Sequence, residues 1–137
     1  MSADDIIVPD WPPPKGYSNG RVGVGRVVHV GGQIGWNKGT FPWRETDAER
    51  FLAQWGEALD NVIAVVKAAG GTATDIADMT VYVTSMDMYR SARTELGALW
   101  KARLGRHYPA MALVAVSALF EPEALVEIQA VAYIGES

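Results

Sequence analysis

The sequence predicts an α/β chain in which two helices cover one face of a mixed sheet, and three observations carry that prediction. Residues 47–69 and 87–104 repeat apolar side chains every three or four positions, the period of a helix with one buried stripe. Residues 78–84 and 125–133 alternate at every second position, the period of a strand with one face in a core. The resulting order, strand, strand, helix, strand, helix, strand, strand, is that of α/β layering. Two helices leave the other sheet face uncovered, so an oligomer interface is expected there.

At 137 residues the chain is expected to form one domain. Residues 1–16 are acidic and proline-rich. Pro12, Pro13 and Pro14 fix their own φ and lack N–H donors, so they predict an extended arm leading into the fold rather than a strand, with Trp11 packed on the surface. The single domain then runs over 17–137. Ser18-Asn19-Gly20 is turn chemistry, and Arg26 to Gly32 reads as a strand that pairs with the preceding segment in a hairpin turning near Gly25. That strand ends in Gly31 and Gly32, followed by Gln33. Glycines at a strand end permit close approach of a ligand, and their N–H groups can meet an oxyanion. The run Gly-Gly-Gln-Ile-Gly is no dinucleotide fingerprint.

Residues 36–45 form a loop with Trp36, Phe41 and Trp43, aromatics expected to cap the core or an interface. The first helix carries Phe51, Trp55, Ala58, Leu59, Val62, Val65, Val66 and Ala69 on one stripe, capped by Thr46 or Asp47 and ended by Gly70-Gly71. After a turn at Thr74 and Asp75, Met79, Val81 and Val83 alternate with Thr80, Tyr82 and Thr84 in a strand over 78–84. A second helix runs from Asp87 to Leu104 with Tyr89, Ala92, Leu96, Leu99 and Trp100 on one side. The last strands are 111–116 and 125–133. In the second, Glu127 and Gln129 point away from Val126 and Ile128, and a carboxylate in so apolar a segment calls for an explanation.

Composition removes several functions. With no cysteine there is no disulfide, thiolate catalyst or Cys-based zinc site. Net charge is −4 and no run of Lys or Arg occurs, so nucleic acid is a poor partner. His29 reads as a surface-facing strand residue and His107 as a hydrogen-bonded structural one; two histidines without supporting carboxylates predict no metal site, and no cofactor is expected. The start of the chain lacks a signal-peptide pattern and no segment approaches a membrane span, so a cytoplasmic protein without membrane contact is expected.

The Tyr108-Pro109 pair, the apolar strand after it, the Glu-Pro-Glu-Ala turn at 121–124 and Val-Glu-Ile-Gln-Ala-Val-Ala at 126–132 resemble the C-terminal signature of the RidA/YjgF family, also called the L-PSP endoribonuclease family. The resemblance spans Tyr17 to Tyr133. It implies a chorismate-mutase-like fold, a homotrimer with ligand clefts between subunits, and hydrolysis of enamines and imines. It makes Glu127 the residue that orients water, helped by the backbone carbonyl of Leu113, and places Tyr17, Gly31, Gly32 and Gln33 along the cleft. The family pattern has an arginine, which grips the substrate carboxylate, where this sequence has Met111. A replacement cation could come from Lys38, Arg44 or Arg106 of a neighbouring subunit. A substrate larger or less acidic than an amino-acid-derived enamine is therefore expected. The alternatives are a non-catalytic trimer that binds a small metabolite and, last, a ribonuclease, which would ask an acidic surface to hold RNA.

Overall fold

The structure, a computed structural model, describes residues 3–135. Its framework is a four-stranded sheet of β3 (Arg26–Ile34), β4 (Ile76–Val83), β5 (Ala110–Ala115) and β6 (Val126–Ile134), in the spatial order β3-β6-β4-β5. The last strand therefore lies inside the sheet, antiparallel to both neighbours, while β5 runs parallel to β4 at one edge. Period-two patterning decides which side chains go under: Val126, Ile128, Ala130, Ala132 and Ile134 are buried, and the residues between them are half-buried or exposed.

Helix α1 (Asp47–Ala68) lies across that apolar face. Thr46 caps it, its hydroxyl accepting from the Glu49 N–H at 3.1 Å. At the other end Gly70 takes φ +99°, and the N–H groups of Gly70 and Gly71 donate to Lys67 and Val66 at 2.9 Å each, a Schellman ending that satisfies the last carbonyls. Phe51, Ala58, Leu59, Val62 and Val66 are buried as the stripe predicts, against Val30, Val81 and Ile128. Each large side chain so buried contributes about 1.5–3 kcal/mol.

Three expectations are corrected. The hairpin at Gly25 does not form: β2 (Arg21–Gly23) pairs antiparallel with β1 (Ala3–Asp5), and β3 pairs with β6. Arg21 reaches the Asp5 carboxylate across the small sheet, an interaction that adjacent residues in sequence could not have offered. Ala3–Asp5, in the segment read as an arm outside any ladder, is thus a short strand, whereas Pro12, Pro13 and Pro14 lie outside all strands. The second helix is two: α2 (Met86–Ser91) and α3 (Arg93–Leu104), broken at Ala92, whose φ −110° and ψ 15° leave the helical basin while its methyl is buried.

The face turned away from the helices carries Val27, Val131, Tyr133, Tyr82 and Val114 among Thr80, Gln129 and Glu127. It is neither a dry apolar surface nor an ordinary solvated one. The Tyr82 hydroxyl donates to Gln129 across two strands at 3.4 Å.

Candidate functional site

Glu127 sits on β6 opposite Tyr82 of β4 and Ile34 of β3, on the open side of the sheet. The ladder between β3 and β6 slips between Val30 and Gln33, so Gly31 and Gly32 form an irregularity at the sheet edge. A Cβ built on Gly32 would overlap the Glu127 carboxylate; the absence of that atom gives the carboxylate its place. Glu127 makes no hydrogen bond or ion pair with another described residue. It lines a cleft of about 320 Å³ with Gly32, Gln33, Trp36, Phe120 and Glu121. Gly31 is exposed, and its carbonyl accepts from the Gln33 side chain at 3.3 Å.

Two residues not singled out in the sequence hold this cleft in shape. Asn61 of α1 donates to the carbonyls of Ile34 and Trp36 at 3.0 and 2.7 Å, tying down the end of β3. Gln54, buried on the same helix, donates to the Glu123 carbonyl at 2.9 Å and accepts from the Leu125 N–H at 2.8 Å. It thereby pins the loop that carries Phe120 and Glu121. The sequence signal was a glutamine one position before Trp55 on the apolar stripe: a polar group that is buried must find partners. Trp36 packs on Phe41 at 5.5 Å, whereas Trp43 is 72 % exposed and caps nothing in this chain.

Met111 is elsewhere. It lies in register with Met79 on the helix side of the sheet, two strands from β6, a spacing of about 9–10 Å. It lines a second pocket, of about 250 Å³, with Trp55, Tyr89, Arg93, Trp100 and Tyr108. Leu113, half-buried, follows it on the same edge strand. Tyr17 is 43 % exposed beside that edge, near Arg21, Arg106, His107 and Tyr108. Its neighbour Ser18 is buried, donates its N–H to the Pro109 carbonyl at 2.9 Å, and lies by its hydroxyl 2.5 Å from the Tyr108 carbonyl. One chain therefore gathers Glu127, Gly32 and Gln33 at the β3 side of the sheet and Tyr17, Met111 and Leu113 at the β5 side. It does not bring the two groups together.

Residues 10–134 match the family described as Endoribonuclease L-PSP. The chain belongs to the RidA/YjgF (L-PSP) family. It is similar to a RutC family protein from Haemophilus influenzae, 33 % identical over 111 residues that cover 81 % of this chain and 82 % of that one. Among solved structures it resembles the Rid-family protein YyfB from Yersinia pestis, a protein of unknown function, with a TM-score of 0.79 and 29 % identity over 98 % of this chain and all of that one. It also resembles RidA from an Antarctic Psychrobacter, with a TM-score of 0.65 and 35 % identity over 86 % and 88 % of the two chains. The mixed α+β fold expected for a RidA/YjgF chain is the one observed.

Within one chain of this RidA/YjgF protein, Lys38, Arg44 and Arg106 are not among the residues that line the Met111 pocket. Arg44 donates to the Trp43 carbonyl at 2.7 Å and lines a groove with Glu49 and Leu99, Lys38 occupies a turn at φ 51°, and Arg106 lies beside Tyr17. The cation that does line the Met111 pocket is Arg93, which the sequence reading passed over. His107 donates from Nε2 to the Ile76 carbonyl at 2.6 Å, and burial holds its pKa below the usual imidazole value despite that bond. Its structural role is the one expected; His29 is exposed. Among the described residues no group of His, Asp and Glu is arranged to hold a metal ion, and no helix is long and apolar enough to cross a membrane.

Proposed function

We propose that this chain hydrolyses reactive enamines or imines to a carbonyl compound and ammonia. The observation that supports this is the unpaired carboxylate of Glu127, half-buried in a cleft walled by Gly32, Trp36 and Phe120. Protonation of the enamine carbon gives an iminium; water adds to its carbon, the water proton is taken up, and the carbinolamine releases ammonia. A carboxylate with no competing partner can orient that water and accept its proton, a contribution of about 10²–10⁴ in rate. The backbone carbonyl of Leu113 is its partner in this reading, and Tyr17, Gly31, Gly32, Gln33 and Met111 line the substrate cleft.

Because one chain leaves these residues on opposite sides of the sheet, the reading requires assembly. The β5 edge of one subunit meets the Glu127 cleft of the next, as in a homotrimer with inter-subunit clefts in the cytoplasm. Where the family pattern carries arginine, Met111 offers a flexible thioether. The substrate is larger or less acidic than 2-aminoacrylate, since losing one member of a buried charge pair costs about 2–5 kcal/mol.

The test uses enamines and imines generated in place by amine oxidases, with ammonia release as the readout. The native protein turns over at least one bulky member, and Glu127→Gln loses that turnover about a hundredfold or more. The apolar side chain of Met111 favours one second reading, a trimer that binds a small metabolite without reacting. Ligands that raise Tm without any turnover would establish it.

A further inference from the structure

The pocket beside Met111 has the makings of a binding site in its own right. Its wall is aromatic: Trp55 meets Tyr89 edge to face at 5.9 Å and 74°, Trp100 lies 6.5 Å from Trp55, and Trp100 and Tyr108 are stacked at 6.1 Å with planes 7° apart. Trp100 is satisfied, donating its indole N–H to the His107 carbonyl at 3.1 Å. Trp55 is not. Trp55 is 2 % exposed, and its indole N–H has no hydrogen-bond partner among the described residues, which a buried donor rarely tolerates without a purpose.

Arg93 supplies the charge. It lines the pocket, makes no hydrogen bond or ion pair with another described residue, and opens α3, where the helix dipole disfavours a cation. The other arginines within the helices are paired: Arg50 with Asp47, Arg90 with Asp87, Arg103 with Asp60. Arg93 is close enough to act on the Tyr89 hydroxyl, whose pKa burial raises and Arg93 pulls back.

We propose that this pocket binds a small planar aromatic carboxylate, its ring among Trp55, Tyr89, Trp100 and Tyr108 and its carboxylate on the Arg93 guanidinium. A volume of about 250 Å³ suits one or two fused rings, being below the usual range of about 300 Å³ and more for drug-sized ligands. Ring faces and edges reward a planar partner over an aliphatic one, Met111 adapts to its outline, and a guanidinium with no other claim takes a carboxylate with two hydrogen bonds. The pocket shares Met111 with the substrate cleft proposed above and so rests on that reading, but binding is measured without turnover: the acids can fail to bind while hydrolysis stands, and can bind where no enamine is hydrolysed.

The probes are indole-3-carboxylate, 2-naphthoate and 4-hydroxybenzoate, with indole-3-carboxamide and cyclohexanecarboxylate as controls, titrated into the full chain by calorimetry and tryptophan fluorescence. At least one aromatic acid binds saturably at millimolar concentration or below, and the carboxamide and the aliphatic acid bind about tenfold more weakly. Arg93→Gln weakens the acid about tenfold and leaves the carboxamide unchanged, a split that a merely structural arginine would not give. Gly97 faces open space at the pocket, where an added Cβ meets nothing within 4 Å. Gly97→Leu therefore blocks the pocket and abolishes binding of every probe while the helix keeps or gains stability. Failure of all three acids to bind the native protein, equal affinity for acid and carboxamide, or indifference to Arg93→Gln each overturns the proposal.

Discussion

The carboxylate of Glu127 occupies the space that a side chain on Gly32 would fill. The strand slip at Gly31 and Gly32 and the acid on β6 are therefore one arrangement, and a methyl group is enough to disturb it. In Gly32→Ala the obstacle is the far end of a mobile side chain, so the fold survives and Tm moves little. Turnover of whichever enamine or imine the native protein accepts falls about a hundredfold if Glu127 has the proposed role, because a reacting group displaced by about an ångström loses that much. Steady-state kinetics together with a melting curve read both halves.

Gly35 gives the opposite result. A Cβ there meets the backbone of Gln54, which cannot turn aside. Gly35→Ala forces β3 away from α1 and costs about 1–3 kcal/mol or more, the price of overpacking a rigid contact. Urea denaturation of the two alanine variants side by side separates a glycine that makes room for a side chain from one that admits a backbone; equal midpoints for both would reject the distinction.

Gln54→Leu keeps the volume of the side chain but strands the Glu123 carbonyl and the Leu125 N–H. A loss of about 2 kcal/mol or more is expected from groups that cost about 1–3 kcal/mol each when left unpaired. The loop bearing Phe120 loosens with it, so amide exchange rises at residues 117–125 while the sheet remains protected. A uniform rise across the whole chain would show that Gln54 does not act on the loop in particular.

His107 makes stability depend on pH with a definite sign. Its folded pKa is below the ordinary value of 6.5, chiefly through burial, so the unfolded chain takes up a proton first. Its contribution is complete above pH 6.5 and is lost as the pH falls from there toward the lower folded value. Unfolding free energies measured between pH 7.5 and 5.5, a range chosen to bracket the ordinary imidazole value of about 6.5, decline in the native protein and decline less in His107→Gln. Parallel curves for the two proteins would assign the dependence to other groups.

How much of this was legible in the sequence differs by element. Period and caps foretold α1, from Thr46 to Gly70, because a helix signals its own ends. The strand over Val126–Ile134 showed its buried face for the same local reason. Pairing was not local. Nothing near Arg21 says that it joins Ala3–Asp5 and not Arg26–Ile34, since glycines at 20, 23 and 25 weaken register and the choice rests on contacts such as Arg21 with Asp5. The break at Ala92 carries no Gly or Pro to announce it. For the site, the resemblance named Glu127, Gly32 and Gln33, which meet, but the spacing between Met111 and Glu127 could not say that β4 separates them. Arg93 escaped notice because an arginine at a helix start looks like solvated surface until its lack of a partner among the described residues is seen.

The placement of β6 between β3 and β4 also governs how the chain can be made. While a ribosome is still delivering residues 126–134, β3 has no neighbour in the large sheet and β4 has only β5, so a nascent chain carries two unsatisfied hydrogen-bonding edges over an apolar layer. Open edges of that kind invite pairing with other chains, so variants that weaken the pairing of β6 are expected to aggregate as well as to lose activity.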